Sequence, residues 1–422
     1  MPSMHRGMPQ WSELRPLIHV ELPGLDRRAR RLARAADVWD LRRLARRRTP
    51  TAAFDYVDGG AGQELTMRRN REAFDRVELL PTALPGLTSV DLATTIAGGP
   101  SAAPLGIAPT GFTRMMRAEG EIAGVRAAAE AGLPFSLSTM GTRSLEEVAQ
   151  AAPNARRWFQ LYLWKERDGS LRLVERAAAS GYDTLLVTVD TAVAGQRLRD
   201  VRNGMTIPPR LTARTVLDAS VHPAWWFDFL TTDPLTFASL SGTSHALAEL
   251  VNSMFDPTLS MDDLRWLRSV WPGKLFVKGV LRPEDARRCL EAGADGLVVS
   301  NHGGRQLERA PASLHALPAI RDAVGPDVQI ILDSGIMSGT DVAIALCAGA
   351  DFVLIGRAYL YGLMAGGQPG VSRVLQLITE ELRVAMTLLG VSSVRELGPQ
   401  FLREPAAESV SRRSAEDAET GS

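Results

Sequence analysis

Cysteine is nearly missing from this chain, with only Cys289 and Cys347 among 422 residues. Both sit in alanine- and leucine-rich stretches that read as helix. Neither a disulfide framework nor a cysteine-built metal centre is on offer, so no metal is expected and a reducing, cytoplasmic setting is the expectation. Net charge is missing as well, because 48 lysines and arginines balance 48 aspartates and glutamates. No overall field draws the chain towards nucleic acid, and none is expected as a partner. No apolar run reaches the ~18 residues of a membrane span. The opening MPSMHRGMPQWSELRP lacks the apolar centre of a secretory signal. What is present, 45% hydrophobic and 23% charged residues, suffices for a large buried core and brings small-molecule chemistry to the front.

Charge is nonetheless unevenly placed. From Asp26 to Arg48 the chain is dense in arginine, with Leu32, Val38, Leu41 and Leu44 among the charges. This reads as an arginine-coated surface helix, with contact to an anionic membrane surface as the alternative. Residues 1–37 form a basic N-terminal segment, and the polar tail 403–422 is expected to be disordered.

Beyond residue 100 one theme repeats: a short apolar or β-branched run, a polar or glycine-bearing loop, then an alanine-rich helical stretch. The candidate strands are Pro104–Ala108, Pro134–Ser138, Trp158–Tyr162, Thr184–Val189, Lys274–Lys278, Gly296–Ser300, Gln329–Leu332 and Phe352–Ile355. Strands without polar alternation that alternate with helices and number eight point to a closed (β/α)8 TIM barrel over 38–402, preceded by a helical arm. A doubly wound open sheet is disfavoured, since no strand–GxGxxG–helix opening is present. About 80 residues separate Val189 from Lys274. An insertion, about 200–262, therefore follows the fourth strand. It carries Trp225, Trp226, Phe227 and Phe229, which either pack inside it or at a subunit contact, or dock at a membrane surface.

In such a barrel the C-terminal strand ends build the active site. His302 follows the strand GLVVS and precedes two glycines and Arg305, which suits a general base beside a carboxylate clamp. Asp190, at another strand end, can hold that imidazole in one tautomer. Lys278 ends an apolar strand, and a buried lysine needs an anionic partner such as a reduced flavin or a phosphate. The last two strands end in LDSG and LIGR, a pattern that suits a phosphate site.

These residues resemble the FMN-dependent L-2-hydroxy acid dehydrogenase/oxidase family. SNHGGRQL is similar to its active-site signature, and APTG, QLY, TVDT, VKGV and IGR match it in order and spacing over roughly residues 38–402. The long insertion and the ending GRAYLYGLMAGG resemble its quinone-linked L-lactate dehydrogenases from actinobacteria. The resemblance implies FMN as cofactor, with His302 as base and Asp190 as its partner. It implies that Tyr56, Arg197 and Arg305 hold the substrate carboxylate and that Tyr162 meets the reacting hydroxyl. Pro109, Thr110, Gly111, Ser138, Gln160, Thr188 and Lys278 would then surround the flavin ring, with Asp333, Gly335, Gly356 and Arg357 at the ribityl and phosphate. Three positions depart from common members. Met337 stands where many carry an arginine after DGG, Gly111 where alanine is frequent, and Met140 where several oxidases have tryptophan. The implied activity is oxidation of a small L-2-hydroxy acid, L-lactate foremost, with quinone or another external acceptor. An oxygen-dependent oxidase or monooxygenase is the first alternative, and a non-catalytic FMN- or phosphate-binding barrel the second. A homo-oligomer of four or more subunits is expected, with peripheral contact at the inner face of the cell membrane as an added reading.

Overall fold

Eight short runs of large apolar and β-branched residues become the staves of one closed barrel. The computed structural model describes residues 26–164, 167–204, 220–233 and 256–403, together with Gln10, Trp11 and Asp218. The staves are β1 (Leu105–Ile107), β2 (Phe135–Ser138), β3 (Arg157–Leu161), β4 (Thr184–Thr188), β5 (Lys274–Val280), β6 (Gly296–Val299), β7 (Gln329–Leu332) and β8 (Phe352–Ile355). All pair in parallel with their chain neighbours, and β8 closes on β1 with Val353 opposite Leu105. The strands face packed side chains on both sides, which is why their sequences show no polar alternation. Trp158, Leu186, Phe276, Val298, Ile331 and Phe352 fill the inside. The hairpin Thr94–Ile96/Gly99–Ser101 closes one end, with Ile96 and Ala97 in the same cluster.

Each expected strand is found, two with the bounds expected and six shifted by one or two residues at an end. β5 runs on to Val280 through a register break after Lys278. Gly279 makes that possible with φ +106, and any Cβ there would lie 2.6 Å from the Cβ of Asp190. The break thus admits Asp190 beside β5. Much of the expected insertion, and the tail from 404, lie outside the described residues.

The arginine-rich segment folds as the helices Arg27–Ala33 and Val38–Arg48. Val38, Leu41 and Ala45 bury one face of the second helix, as its apolar spacing requires. Its arginines do more than coat a surface. Arg48 donates to the Ala365 carbonyl at 2.5 Å, and Arg42 grips Asp58 at 2.6 and 2.8 Å. Asp58, 4% exposed, also accepts from Arg199 at 3.0 Å and Tyr361 at 2.7 Å. One carboxylate therefore joins the arm, the root of the insertion and the helix Arg357–Gly366.

The aromatic cluster is only partly outward. Trp225 and Phe229 stack at 5.0 Å, Trp226 packs edge-on to both, and the Trp225 indole donates to the Met115 carbonyl at 2.8 Å. On the helix Pro223–Thr231 the outward side chains are Phe227 and Leu230, 69% and 71% exposed. Of the four expected aromatics, then, three pack together and one faces water.

Burial by itself would raise the Asp58 carboxyl, but Arg42, Tyr361 and Arg199 outweigh it and hold it below the usual range. Its stabilising effect is complete above the unfolded value near 4 and is lost as pH falls through the depressed folded value. Asp58→Asn is expected to cost about 2–3 kcal/mol at neutral pH, discounted because Arg42 and Arg199 are each about a third exposed. Urea unfolding of both proteins across pH checks this: the gap should close in acid, and a gap independent of pH contradicts it.

Candidate active site

The C-terminal ends of the strands open onto a cavity of about 1250 Å³, counted to its open mouth. Its lining comes from every strand end and from the arm. Pro109, Thr110 and Gly111 follow β1, Ser138 ends β2, and Gln160 and Tyr162 come from the end of β3. Thr188 ends β4, Lys278 lies in β5, and His302 and Arg305 follow β6. Asp333 and Gly335 follow β7, and Gly356 and Arg357 follow β8. Tyr56 enters from the arm helix Thr51–Asp58, and Arg197 from the segment after β4. Asp190 stands behind His302 and is not part of the wall.

At the mouth, two guanidiniums flank one phenol. The Arg305 and Arg197 carbons lie 5.0 and 5.8 Å from the Tyr56 ring centroid. Arg305 is steered by the carbonyls of Tyr56 at 2.6 Å and Gly59 at 3.0 Å. Burial, with repulsion from Arg197 and Arg357 added, brings the Arg305 guanidinium down to about 9, still charged at neutral pH. Among the described residues neither Arg305 nor Arg197 makes an ion pair. Two unpaired cations at the opening of a cavity form a ready site for a small anion.

Next to them lies the candidate base. The Nδ1 atom of His302 is 3.0 Å from Asp190 Oδ1. Burial opposes the Asp190 charge, yet the His302 imidazole and the Lys278 ammonium outweigh it and keep the carboxyl below its ordinary range. An ionised acceptor at Nδ1 keeps the proton there and leaves Nε2 basic. Burial, and the nearby Asp190 carboxylate, push the Tyr162 hydroxyl well up, so it stays a donor at neutral pH.

The floor is a polar ladder. Ser138 donates to the Gln160 side-chain oxygen at 2.9 Å, and the Gln160 amide donates to Thr188 at 3.0 Å. Beside it Lys278 is ion-paired with Asp333 at 2.9 Å and donates to Ser300 at 2.9 Å. Burial would lower the Lys278 ammonium, but the Asp333 and Asp190 carboxylates outweigh it and raise it. The anion expected from outside for Lys278 is thus supplied by the protein itself. Asp333, expected at the ribityl and phosphate, is that partner. Arg357, which lines the cavity, donates through its three nitrogens to the carbonyls of Val57, Gly303 and Gly59 at 3.1, 2.8 and 2.7 Å. An anion at this end would meet the unpaired N–H groups of the first turn of the helix that Arg357 begins.

Gly111 is packed against its neighbour: a Cβ there would lie 2.7 Å from the Met140 Cβ and 3.2 Å from the Met140 carbonyl oxygen. Space next to Gly111 is therefore already filled by Met140. Met337 lines the same cavity and is 8% exposed, bringing no charge to it. Sequence reading put Ser300, Asn301 and Ser334 at strand ends without giving them a role, and missed Asn70, whose amide pairs reciprocally with that of Asn301 at 2.8 and 2.6 Å. Asn70 lies in a polar helix, MRRNREAFD, where nothing in the pattern separates it from surface residues.

A hydroxyl and amide ladder, a buried ammonium, and a glycine-bearing end at a helix start suit a phosphorylated heteroaromatic cofactor, while the cation pair suits a small acid beside it. Fold and cavity together are those of a flavin-type barrel. The profile of the FMN-dependent dehydrogenases matches residues 45–404, and the chain belongs to that family. FMN is accordingly its cofactor, and the residues present fit it. A Mycobacterium tuberculosis protein, provisionally named an L-lactate dehydrogenase, is 53% identical over 95% of this chain and 97% of its own length. The L-lactate dehydrogenase of Ectopseudomonas mendocina is 44% identical over 86% of this chain and 97% of its own. Among solved structures, a monotopic membrane protein, (S)-mandelate dehydrogenase, superposes with a TM-score of 0.85 at 37% identity, covering 88% of this chain and all of that one.

Lys278→Met strands Asp333 as a buried charge, and the expected loss is about 3–5 kcal/mol. Denaturant unfolding of the cofactor-stripped protein measures it; an unchanged midpoint contradicts the pairing.

Proposed function

We propose that the chain oxidises a small L-2-hydroxy acid, L-lactate foremost, to its 2-keto acid and passes the two electrons to a quinone or another external acceptor. The observation that carries this reading is His302, backed by Asp190, in one cavity with two arginines that make no ion pair among the described residues, and the names of the lactate dehydrogenase relatives support the substrate. FMN, when bound, supplies the two-electron acceptor. Arg305, Arg197 and Tyr56 hold the substrate carboxylate and so fix which face of Cα is presented. His302 Nε2 takes one proton, and Asp190 stabilises the imidazolium that results. Tyr162 donates to the substrate oxygen. Lys278 and the ladder of Ser138, Gln160 and Thr188 hold the ring edge, with Pro109, Thr110 and Gly111 against its face. Gly335, Gly356 and the start of the Arg357 helix take the phosphate, while Asp333 keeps Lys278 in place.

His302→Gln should keep bound FMN, because the phosphate end is untouched, yet lose on the order of 10²–10⁴-fold or more in reduction by L-lactate. Stopped-flow absorbance under nitrogen reads both, and near-normal bleaching sinks the assignment.

The same reading places the acceptor side at a lipid surface. Among the described residues no helix is long and apolar enough to cross a membrane. Phe227 and Leu230 project from the helix Pro223–Thr231. Arg48 lies within electrostatic reach of Arg28, Arg31 and Arg117, and Arg28 within reach of Asp228 on that helix, with Glu119 paired to Arg117 among them. Apolar side chains beside clustered arginines suit an anionic interface. Phe227→Ser with Leu230→Ser should cut co-sedimentation with anionic liposomes at low salt while leaving turnover with a soluble dye intact. Equal sedimentation of variant and parent removes the docking surface.

A further inference from the structure

Ser334 adopts φ +78, in the left-handed region that favours glycine, and it lines the cavity. A side chain kept where glycine would fit more easily calls for a use of its hydroxyl. That hydroxyl donates to Asp333 Oδ1 at 2.7 Å and accepts the backbone N–H of Gly303 at 2.9 Å. The other oxygen of Asp333 holds Lys278 at 2.9 Å, and Lys278 donates to the Ser300 hydroxyl, which in turn accepts the N–H of His302 at 3.0 Å. A ring of bonds therefore runs from one buried charge pair through two serines to two successive N–H groups of the catalytic loop.

That loop needs such holding. His302, Gly303 and Gly304 have φ +58, +66 and +72, three left-handed residues in succession, and the first of them carries a branched ring. The imidazole is fixed at its far end by Asp190, while its backbone end rests on Ser300 and, one residue on, Ser334. A side chain aimed at a reacting atom is only as well placed as the backbone that carries it.

We propose that Ser334 is a positioning residue for the general base: its hydroxyl ties the Gly303 N–H to the Lys278–Asp333 pair and so sets the height of His302 in the cavity. This rests on His302 being the base. Ser334 stands apart from the carboxylate clamp, so substrate binding should not depend on it.

The test compares the FMN-loaded parent with Ser334→Gly and Ser334→Ala, mixed anaerobically with a range of L-lactate concentrations. Both variants should show a limiting rate of flavin reduction lower by about two- to tenfold, the range one neutral hydrogen bond supplies. The lactate concentration for half-maximal rate and the FMN content should stay at the parent's values. Ser334→Gly should also melt above Ser334→Ala, since glycine accepts this backbone freely. A slow variant that is the more heat-stable of the two separates positioning from loss of fold. Limiting rates equal to the parent's, a loss confined to Ser334→Ala, or a loss that tracks departed FMN would each overturn the inference while leaving the proposed function standing. A parent that L-lactate fails to bleach overturns that function, and this inference with it.

Discussion

A lysine ammonium taken out of water is tolerated only with an opposite charge held close. Lys278 is 4% exposed in the lining of the cavity, and Asp333 meets it from just past β7, two strands away. The pair sets much of what surrounds it. Against burial, the His302 imidazole and then the Lys278 charge hold the Asp190 carboxyl low, which keeps Asp190 an acceptor for His302. Its hydrogen bond to Ser300 and the Asp333 bond from Ser334 bring the loop after β6 under the same control. Cofactor floor, base and loop are thus one electrostatic unit, and the closed barrel is what brings β5, β6 and β7 near enough to build it.

A second constraint comes from the arm. Tyr56 reaches the cavity only because its helix is fastened at Asp58 to Arg42, Arg199 and Tyr361. The carbonyls of Tyr56 and Gly59, just beyond in the chain, then steer Arg305. The proposed carboxylate clamp is therefore shared between the arm and the barrel. A fold that contributed only strand ends would supply the base and the ladder but not the cation pair stacked about a phenol.

Much of this was legible in the sequence because it follows from local rules. Parallel strands buried on both faces read as unbroken apolar runs, so all eight were found within a residue or two. Motif residues at their C-terminal ends fell where barrel geometry sends them. Among contacts between distant segments, the pairing of His302 with Asp190 was legible from their strand-end positions; others were not. Nothing local in VKGV says that Lys278 meets Asp333, and nothing in LDSG says that Ser334 bends left-handed to reach Gly303. The four aromatics of the insertion read alike, but helical spacing turns Trp225, Trp226 and Phe229 onto one another and leaves Phe227 outside. Composition identifies such residues; only packing divides them.

The central claim is that this cavity oxidises L-2-hydroxy acids on bound FMN, with the carboxylate and hydroxyl of one enantiomer held at once. The most direct measurement is anaerobic mixing of the purified yellow protein with matched L- and D-2-hydroxy acids, following the flavin absorbance. Rapid bleaching by L-lactate with formation of pyruvate, and none by D-lactate, is the expected result. A flavin that stays oxidised with every L-acid, or that is bleached equally by both enantiomers, contradicts the account.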